Sequence, residues 1–341
     1  MTQPEHLTLA FVGCGGIAQA HLRGIRTHAP RIRVTAAVDT SRDSAAAMAA
    51  QTGAVAYTSL DAALDQGDFD AVDLMLPHDI HVEAAEKAFA AGKHVLLEKP
   101  MGRTVAECER ILDAARRAAR ETGSVFMVAE HSHYAPSAVK VQQLIEDGVL
   151  GEVLTARAMQ TERIEYGITP RPWRYDKEIM GGGTIIDGGL HWIRPLRMWL
   201  GEADEAIADL GYPFAEMEGE SLAQALIRFA SGVVANFEST MTTYGGAPGE
   251  RFRVTGTVAT AVVEQGRDGR VLVYADRHDS GRDVLSEAER RQDPYGLELA
   301  DFAAAVLDGT ELAAPPEDAV ADLRVALAIY RSADTRRWEK V

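Results

Sequence analysis

Short apolar runs alternating with amphipathic stretches organise the first third of the chain. Leu7 to Val12 is apolar and ends on glycines, the pattern of a strand buried on both faces. Ile17 to His28 follows with helical character, then Arg33 to Val38 as a second buried strand and Ser44 to Gln51 as an alanine-rich helix. Ala71 to Leu76 predicts another strand, stopped by Pro77. His81 to Ala91 reads as a helix closed at Gly92, where a left-handed C-cap is expected. Val95 to Leu97, the long amphipathic stretch Val105 to Thr122 and the run Ser124 to Ala129 continue the alternation. Strands alternating with helices of this length predict a doubly wound parallel sheet.

Beyond Gly151 the rhythm changes. Val153 to Thr161, Ala206 to Gly211, Ser221 to Phe229, Val233 to Thr240, Arg251 to Thr255, Thr260 to Glu264 and Arg270 to Tyr274 read as strands, several of them alternating with period two. Strands without intervening helices predict an α+β domain with an open, mostly antiparallel sheet. One face would pack on helices around Gly183 to Leu200, leaving the other for a subunit partner. Glu317 to Ala333 is a helix with Val320, Leu323, Leu327 and Tyr330 on one stripe. The 341 residues exceed what one core usually organises. The expectation is an α/β chain of two domains, residues 1–129 and 130–341.

Composition narrows the partners. Apolar residues at 46% and charged residues at 25% suit a globular enzyme rather than a disordered chain. A net charge of −16 argues against nucleic acid or an anionic membrane surface, since both call for a basic face. Cys14 and Cys108 are the only cysteines, and they form no disulfide framework. With no basic residue ahead of the first apolar run and no uninterrupted apolar stretch of about 18 residues, a cytoplasmic protein is expected.

The turn after the first strand is Gly13-Cys14-Gly15-Gly16-Ile17-Ala18, a G-x-G-x-x-A form of the dinucleotide fingerprint. Gly13 permits the tight turn, Gly15 lets backbone approach a pyrophosphate, and Ala18 allows close helix–strand packing. The helix N-terminus supplies amide donors and a positive dipole. Asp39, 26 residues after Gly13 at the end of the second strand, is placed to accept hydrogen bonds from an adenosine ribose. This Rossmann pattern favours NAD, because a carboxylate repels the 2′-phosphate of NADP. Arg42, near enough in sequence to meet that phosphate, keeps NADP open; its plainer reading is a solvated first-turn arginine.

Two further motifs add chemistry. Glu98-Lys99-Pro100 closes a strand, and Gly181-Gly182-Gly183-Thr184-Ile185-Ile186-Asp187-Gly188-Gly189-Leu190-His191 reads G-G-G-x-x-x-D-x-G-x-H. Asp187 and His191 are four apart, so on a helix they share a face. The glycines before them let backbone or a nicotinamide come close. Lys99 follows the C-terminal end of a parallel strand, where open α/β sheets bind ligands. With Pro77-x-x-x-His81, Trp173-Arg174, the segments Glu130 to Pro136 and Leu144 to Val153, and Phe302 to Val306 before Pro315, these motifs make the chain resemble the Gfo/Idh/MocA family over nearly its whole length.

The resemblance implies hydride transfer between NAD(P) and a secondary hydroxyl or ketone of a sugar, sugar derivative or cyclic polyol. Lys99, Asp187 and His191 are then the catalytic candidates, and a lysine beside a cationic nicotinamide is expected to have a lowered pKa. Gly13, Gly15, Gly16, Ile17, Ala18, Asp39, Arg42, Pro77, His81, Glu98, Lys99, Trp173 and Arg174 are candidates for the cofactor. Glu98 has the alternative of a buried carboxylate pinning Lys99, and His81 that of a surface turn. Substrate contacts fall to Lys99, His131, His133, Asp187 and His191. A homodimer or homotetramer through the second sheet is implied, with the helix 317–333 packing back toward the first domain. Two other functions stay open: an NAD-retaining glycosidase or lyase working through transient sugar oxidation, and a non-catalytic nucleotide sensor. Three positions depart from the family: His133 stands before Tyr134 where relatives carry arginine, Arg194 where they often carry an acid, and His131 makes an unusual pair with His133. That pair, spaced i, i+2, would share a face on a strand, but no completed ligand set accompanies it and no metal is expected.

Overall fold

A computed structural model describes residues 5–164, 172–245, 249–264, 269–276 and 280–341. The N-terminal part is built from β1 (Leu7–Val12), α1 (Gly16–His28), β2 (Ile32–Val38), α2 (Arg42–Thr52), β3 (Val55–Tyr57), α3 (Leu60–Gln66), β4 (Ala71–Leu74), α4 (His81–Ala90), β5 (His94–Glu98), α5 (Val105–Thr122) and β6 (Phe126–Ala129). The six strands are parallel in the order β3-β2-β1-β4-β5-β6. Strand order therefore reverses between β1 and β4, the place where doubly wound sheets leave a crevice at their C-terminal ends. The apolar runs become strands because both faces are covered: every residue of β4 is buried, and all but one of β1. Local signals start and stop the helices. Ser41, Ser59 and Thr104 accept hydrogen bonds from amides at Ser44, Ala62 and Glu107, and Gly53 and Gly123 end α2 and α5 at positive φ. The pair β3–α3 has no counterpart in the predicted pattern. A three-residue edge strand with Val55 58% exposed and a seven-residue helix are too short to build a periodic signature.

The chain continues through α6 (Pro136–Glu146), β7 (Val153–Arg163), α7 (Lys177–Met180) and a π-helical turn, Ile185–Gly189, that runs directly into α8 (Leu190–Leu200). Then come β8 (Ala203–Gly211), β9 (Leu222–Phe229), β10 (Val234–Thr242), β11 (Glu250–Gly256), β12 (Thr260–Glu264), β13 (Arg270–Tyr274), β14 (Arg282–Asp283), α9 (Glu287–Arg290), α10 (Pro294–Asp308), α11 (Pro316–Thr335) and β15 (Glu339–Lys340). Nine strands form a second sheet in the order β14-β13-β12-β11-β7-β10-β9-β8-β15. It is mixed but mostly antiparallel, with β7 and β10 as its parallel pair. Period-two burial is clear in β9, where Ala223, Ala225, Ile227 and Phe229 are buried and the intervening residues are not. The inner face meets α8, whose Trp192 Nε1 donates to the Met159 carbonyl at 2.9 Å.

The chain falls into two compact units, the first running to His131 and including Asp293–Val320, the second comprising Ser132–Gln292 and Ala321–Val341. A cut at 129/130 would leave Asp293–Val320 in the second domain. Its place in the first has a packing reason: α10 lies against α1 at two facing glycines. A Cβ on Gly24 would stand 2.6 Å from the Gly296 nitrogen, and one on Gly296 would stand 2.7 Å from the Gly24 oxygen. Helix α11 begins in the first unit, where Glu317 pairs with Arg116 at 3.3 Å. Within the second unit its Asp322 takes Arg194 and Arg197 at 2.7 Å each, all three side chains nearly excluded from solvent. The departure at Arg194 is thus a buried ion pair that fixes α8 to α11.

Candidate active site

The glycine turn leaves a helix end free for an anion. Gly13 has φ +94, and a Cβ there would sit 2.1 Å from the Met75 carbonyl oxygen, so only glycine fits. Beside Gly15 and Gly16 a Cβ would meet nothing within 4 Å among the described residues. Helix α1 starts on Gly15 with no side-chain cap and no acid in its first turn. Bare amides, a positive dipole and an open cradle together fit a pyrophosphate. Ile17 and Ala18 lie in that first turn, and Ala18 is fully buried. Asp39 ties the turn to the next strand: Oδ2 accepts from the Cys14 amide at 2.9 Å and Oδ1 from the Ser41 amide at 2.8 Å. A carboxylate has about four acceptor positions, so two remain for a ribose. Arg42 is exposed at the start of α2. Burial, then Asp39, pushes the Cys14 thiol up to about 11, which leaves it protonated and no nucleophile.

Lys99 follows β5 directly, in a turn held by buried groups. Glu98 is 8% exposed; its Oε2 accepts the Lys99 amide at 3.0 Å and its Oε1 lies 3.1 Å from His21 Nε2. Glu98 thus holds the backbone of Lys99 in place. His81 is fully buried rather than in a surface turn. Its Nδ1 lies 3.0 Å from the Pro100 carbonyl oxygen and its Nε2 2.9 Å from that of Leu76. Pro77 opens the short 3₁₀ turn His78–Ile80 just ahead of it.

His21 is the centre of a cluster that sequence reasoning missed. Its Nδ1 is 2.7 Å from Asp73 Oδ2, and Nε2 is also 3.7 Å from Glu298 Oε1. His21, Asp73 and Glu298 are fully buried, and neither oxygen of Glu298 has a hydrogen-bond partner among the described residues. Burial opposes the His21 imidazolium, but Asp73 and then Glu98 outweigh it and hold its pKa well above 6.5. Burial raises Asp73, with His21 pulling the other way. Glu298 stands well above 4.5, through burial first and against the attraction of His21. The signals were available: an acid inside the apolar run of β4, and a histidine on the apolar stripe of α1 beside Ala18, Leu22 and Ile25.

In the second unit Asp187 lies on the π-helical turn and His191 is the second residue of α8, so the two are one helical turn apart. The glycines around them accommodate protein. A Cβ on Gly182 would be 2.1 Å from Tyr330 Oη, one on Gly183 2.1 Å from the Glu220 oxygen, and one on Gly188 1.7 Å from Gln160 Nε2. Glu220, 1% exposed, caps this segment: Oε1 accepts from the Ile185 amide at 2.9 Å and from Tyr330 Oη at 3.0 Å, while the Gly183 amide donates to Tyr330 Oη at 3.2 Å. Glu220 sits in a loop with no periodic or motif signal, which is why the sequence hides it.

His131 and His133 lie in a 3₁₀ turn, His131–Tyr134, rather than on a strand. With three residues per turn, positions i and i+2 point about 120° apart, so the shared face expected for them is lost. His131 stacks on Tyr295 of α10 at 4.2 Å, and His133 meets Tyr134 edge-on at 5.1 Å. Trp173 is 39% exposed on a 3₁₀ turn, and the neighbouring Arg174 lies over the Tyr175 ring at 5.7 Å.

Comparison with known proteins agrees with this architecture. Residues 7–129 match the oxidoreductase family with NAD-binding Rossmann fold, and residues 138–262 match the GFO/IDH/MocA C-terminal domain. The chain is 30% identical to a 1,5-anhydro-D-fructose reductase of Ensifer adhaerens, over 89% of each protein. It is 24% identical to a levoglucosan dehydrogenase of Pseudarthrobacter phenanthrenivorans, over 99% of this chain and 98% of that one. The crystal structure of an aldose-aldose oxidoreductase from Caulobacter crescentus, complexed with glycerol, superposes with a TM-score of 0.85 at 26% identity, covering 98% of this chain and 100% of the other. Among the described residues no helix is long and apolar enough to cross a membrane.

Proposed function

This chain belongs to the Gfo/Idh/MocA oxidoreductase family, and on that premise we propose that it moves a hydride between NAD and a secondary hydroxyl of a sugar, sugar derivative or cyclic polyol. The domain that binds NAD and the class of reaction, dehydrogenation at CH–OH groups, come with the family. The observation that carries the reading is the pairing of an uncapped α1 N-terminus with a lysine at the C-terminal end of β5, on one parallel sheet. When bound, NAD supplies the hydride acceptor. Lys99 holds the reacting oxygen and donates to it as its charge changes. His191 takes the hydroxyl proton, and Asp187 binds a neighbouring hydroxyl. Glu98 and the capped segment at Ile185 hold their neighbours in place without touching substrate.

The relatives' names, reductase, dehydrogenase and oxidoreductase, favour net redox chemistry over an NAD-retaining glycosidase or a nucleotide sensor. We place a second copy of the chain on the outward face of the nine-stranded sheet, where a concavity is lined by Arg157, Leu226, Asn236 and Glu238. Light scattering checks that assembly. Two free, buried cysteines suit a cytoplasmic protein. A panel of sugars and polyols, assayed by nicotinamide absorbance with NAD and with NADP, tests the function. Reduction of NAD by at least one cyclic sugar or polyol is expected. Glycosidic cleavage or elimination with no net change in nicotinamide would move the protein to the transient-oxidation class.

A further inference from the structure

Two fully buried histidines grip the turn that carries Lys99 at two points. Upstream, the Lys99 amide donates to Glu98 Oε2 at 3.0 Å, Glu98 Oε1 meets His21 Nε2 at 3.1 Å, and His21 Nδ1 meets Asp73 on β4 at 2.7 Å. Downstream, the Pro100 carbonyl lies 3.0 Å from His81 Nδ1, and His81 Nε2 lies 2.9 Å from the carbonyl of Leu76, two residues past β4. One chain of contacts ends on β4 and the other on the segment that directly follows it, so both tie the lysine turn to the C-terminal end of the strand beside which sheet order reverses. We propose that His21 and His81 are positioning residues for Lys99, acting through the Glu98 carboxylate and the Pro100 carbonyl. The proposal rests on the reading of Lys99 as a residue of the reacting site.

The surroundings of each ring suit a strut rather than an acid or base. His21 on α1 is faced by Asp73 from β4, by Glu98 from β5, and by Glu298 and the Tyr295 ring, 5.7 Å away, from α10. Both ring nitrogens face carboxylate oxygens, and three acids surround one ring. That arrangement keeps the imidazolium charged and leaves it no proton to exchange with a substrate it does not reach. His81 on α4 is faced by two carbonyls and by the His78 ring at 5.5 Å, with Glu98 acting at longer range. Carbonyls only accept, so bonding to both needs two ring protons, while burial lowers the ring's pKa. The grip on Pro100 needs the ring proton on Nδ1.

A double-mutant cycle separates positioning from mere structure. His21→Gln and His81→Gln are each made in the parent and in Lys99→Ala, and the single-turnover rate of hydride transfer is measured with the best substrate of the panel. In the parent each is expected to slow transfer about tenfold while NAD affinity and substrate KM change less than about threefold. In Lys99→Ala each should slow it less than about twofold, because the residue being positioned is gone. An equal loss in both backgrounds, or no loss in the parent, overturns the proposal. Where a histidine variant does not fold, Glu98→Gln, which keeps the side-chain shape, passes through the same cycle under the same criteria. If Lys99→Ala itself matches the parent, the reading of Lys99 fails and the proposal with it. A large loss in Lys99→Ala with additive histidine effects removes the positioning proposal alone.

Discussion

Glu298→Gln should make this protein more stable at neutral pH, by an amount that grows as pH rises. Glu298 lies fully buried on α10, its nearest charged partner is His21 at 3.7 Å, and neither of its oxygens has a hydrogen-bond partner among the described residues. Burial raises its pKa well above 4.5, so the folded chain holds a proton that the unfolded chain releases. For an acid shifted upward, stability is fully present below about 4.5 and declines as pH climbs toward the folded value. At about 1.4 kcal/mol per pH unit, three units above 4.5 set a ceiling near 4 kcal/mol at pH 7.5. A glutamine needs no proton, though an amide N–H left unpaired there would cost about 1–3 kcal/mol. A net gain of about 1–2 kcal/mol at pH 7.5 is expected. His21, whose raised pKa contributes stability that is lost as pH rises through its folded value, lies 3.7 Å from Glu298, so the gap reads the two groups as a coupled pair. Urea denaturation of both proteins at pH 5.5, 6.5, 7.5 and 8.5 measures the gap. A gap that stays constant with pH, or a variant less stable than the parent at pH 7.5 and above, would mean Glu298 is ionised and paired with His21.

Other perturbations reach the site from different sides. Gly13→Ala forces a left-handed φ and a Cβ 2.1 Å from the Met75 oxygen, so a loss of about 3 kcal/mol and of NAD binding is expected by thermal melting and titration. Asp322→Ala strips the carboxylate shared by buried Arg194 and Arg197 and should cost about 3–5 kcal/mol in urea denaturation. Asp39→Ala removes an acceptor expected to serve the ribose and frees the Cys14 amide; NAD should bind about tenfold more weakly and NADP should lose less, as read from the two dissociation constants. Equal losses for both cofactors would place Asp39 in the turn alone.

Much of this was legible because the residues that make the fold also make simple patterns. Apolar runs such as Leu7 to Val12 and Ala71 to Leu76 read as buried strands since both faces of a parallel sheet are covered, though the second strand ends at Leu74, and Gly13 is demanded by backbone geometry that no other residue meets. Period-two burial placed β9 for the same kind of reason. What escaped depends on partners distant in sequence. Asp293–Val320 joins the first unit through a close approach of Gly24 and Gly296, which no local pattern encodes. Glu298 is one of three acids along α10, and only the packing of that helix sets it against His21, 277 positions earlier. The π-helical turn at Asp187 is a backbone adjustment held by Glu220 from a loop, and helical periodicity does not distinguish it from an ordinary turn. The apolar run of β6 stops at Ala129, and nothing in its pattern marks the 3₁₀ turn that carries His131 and His133 away from the strand.

The central claim, that Lys99 and His191 handle the proton while hydride leaves a sugar carbinol, meets its most direct test in one comparison. Single-turnover NAD reduction by the best sugar or polyol is measured for the parent, Lys99→Ala and His191→Ala, alongside NAD dissociation constants. Each variant is predicted to lose at least about a hundredfold in rate while binding NAD within about threefold of the parent. Rates in both variants equal to the parent's, with the cofactor bound as before, would contradict the account.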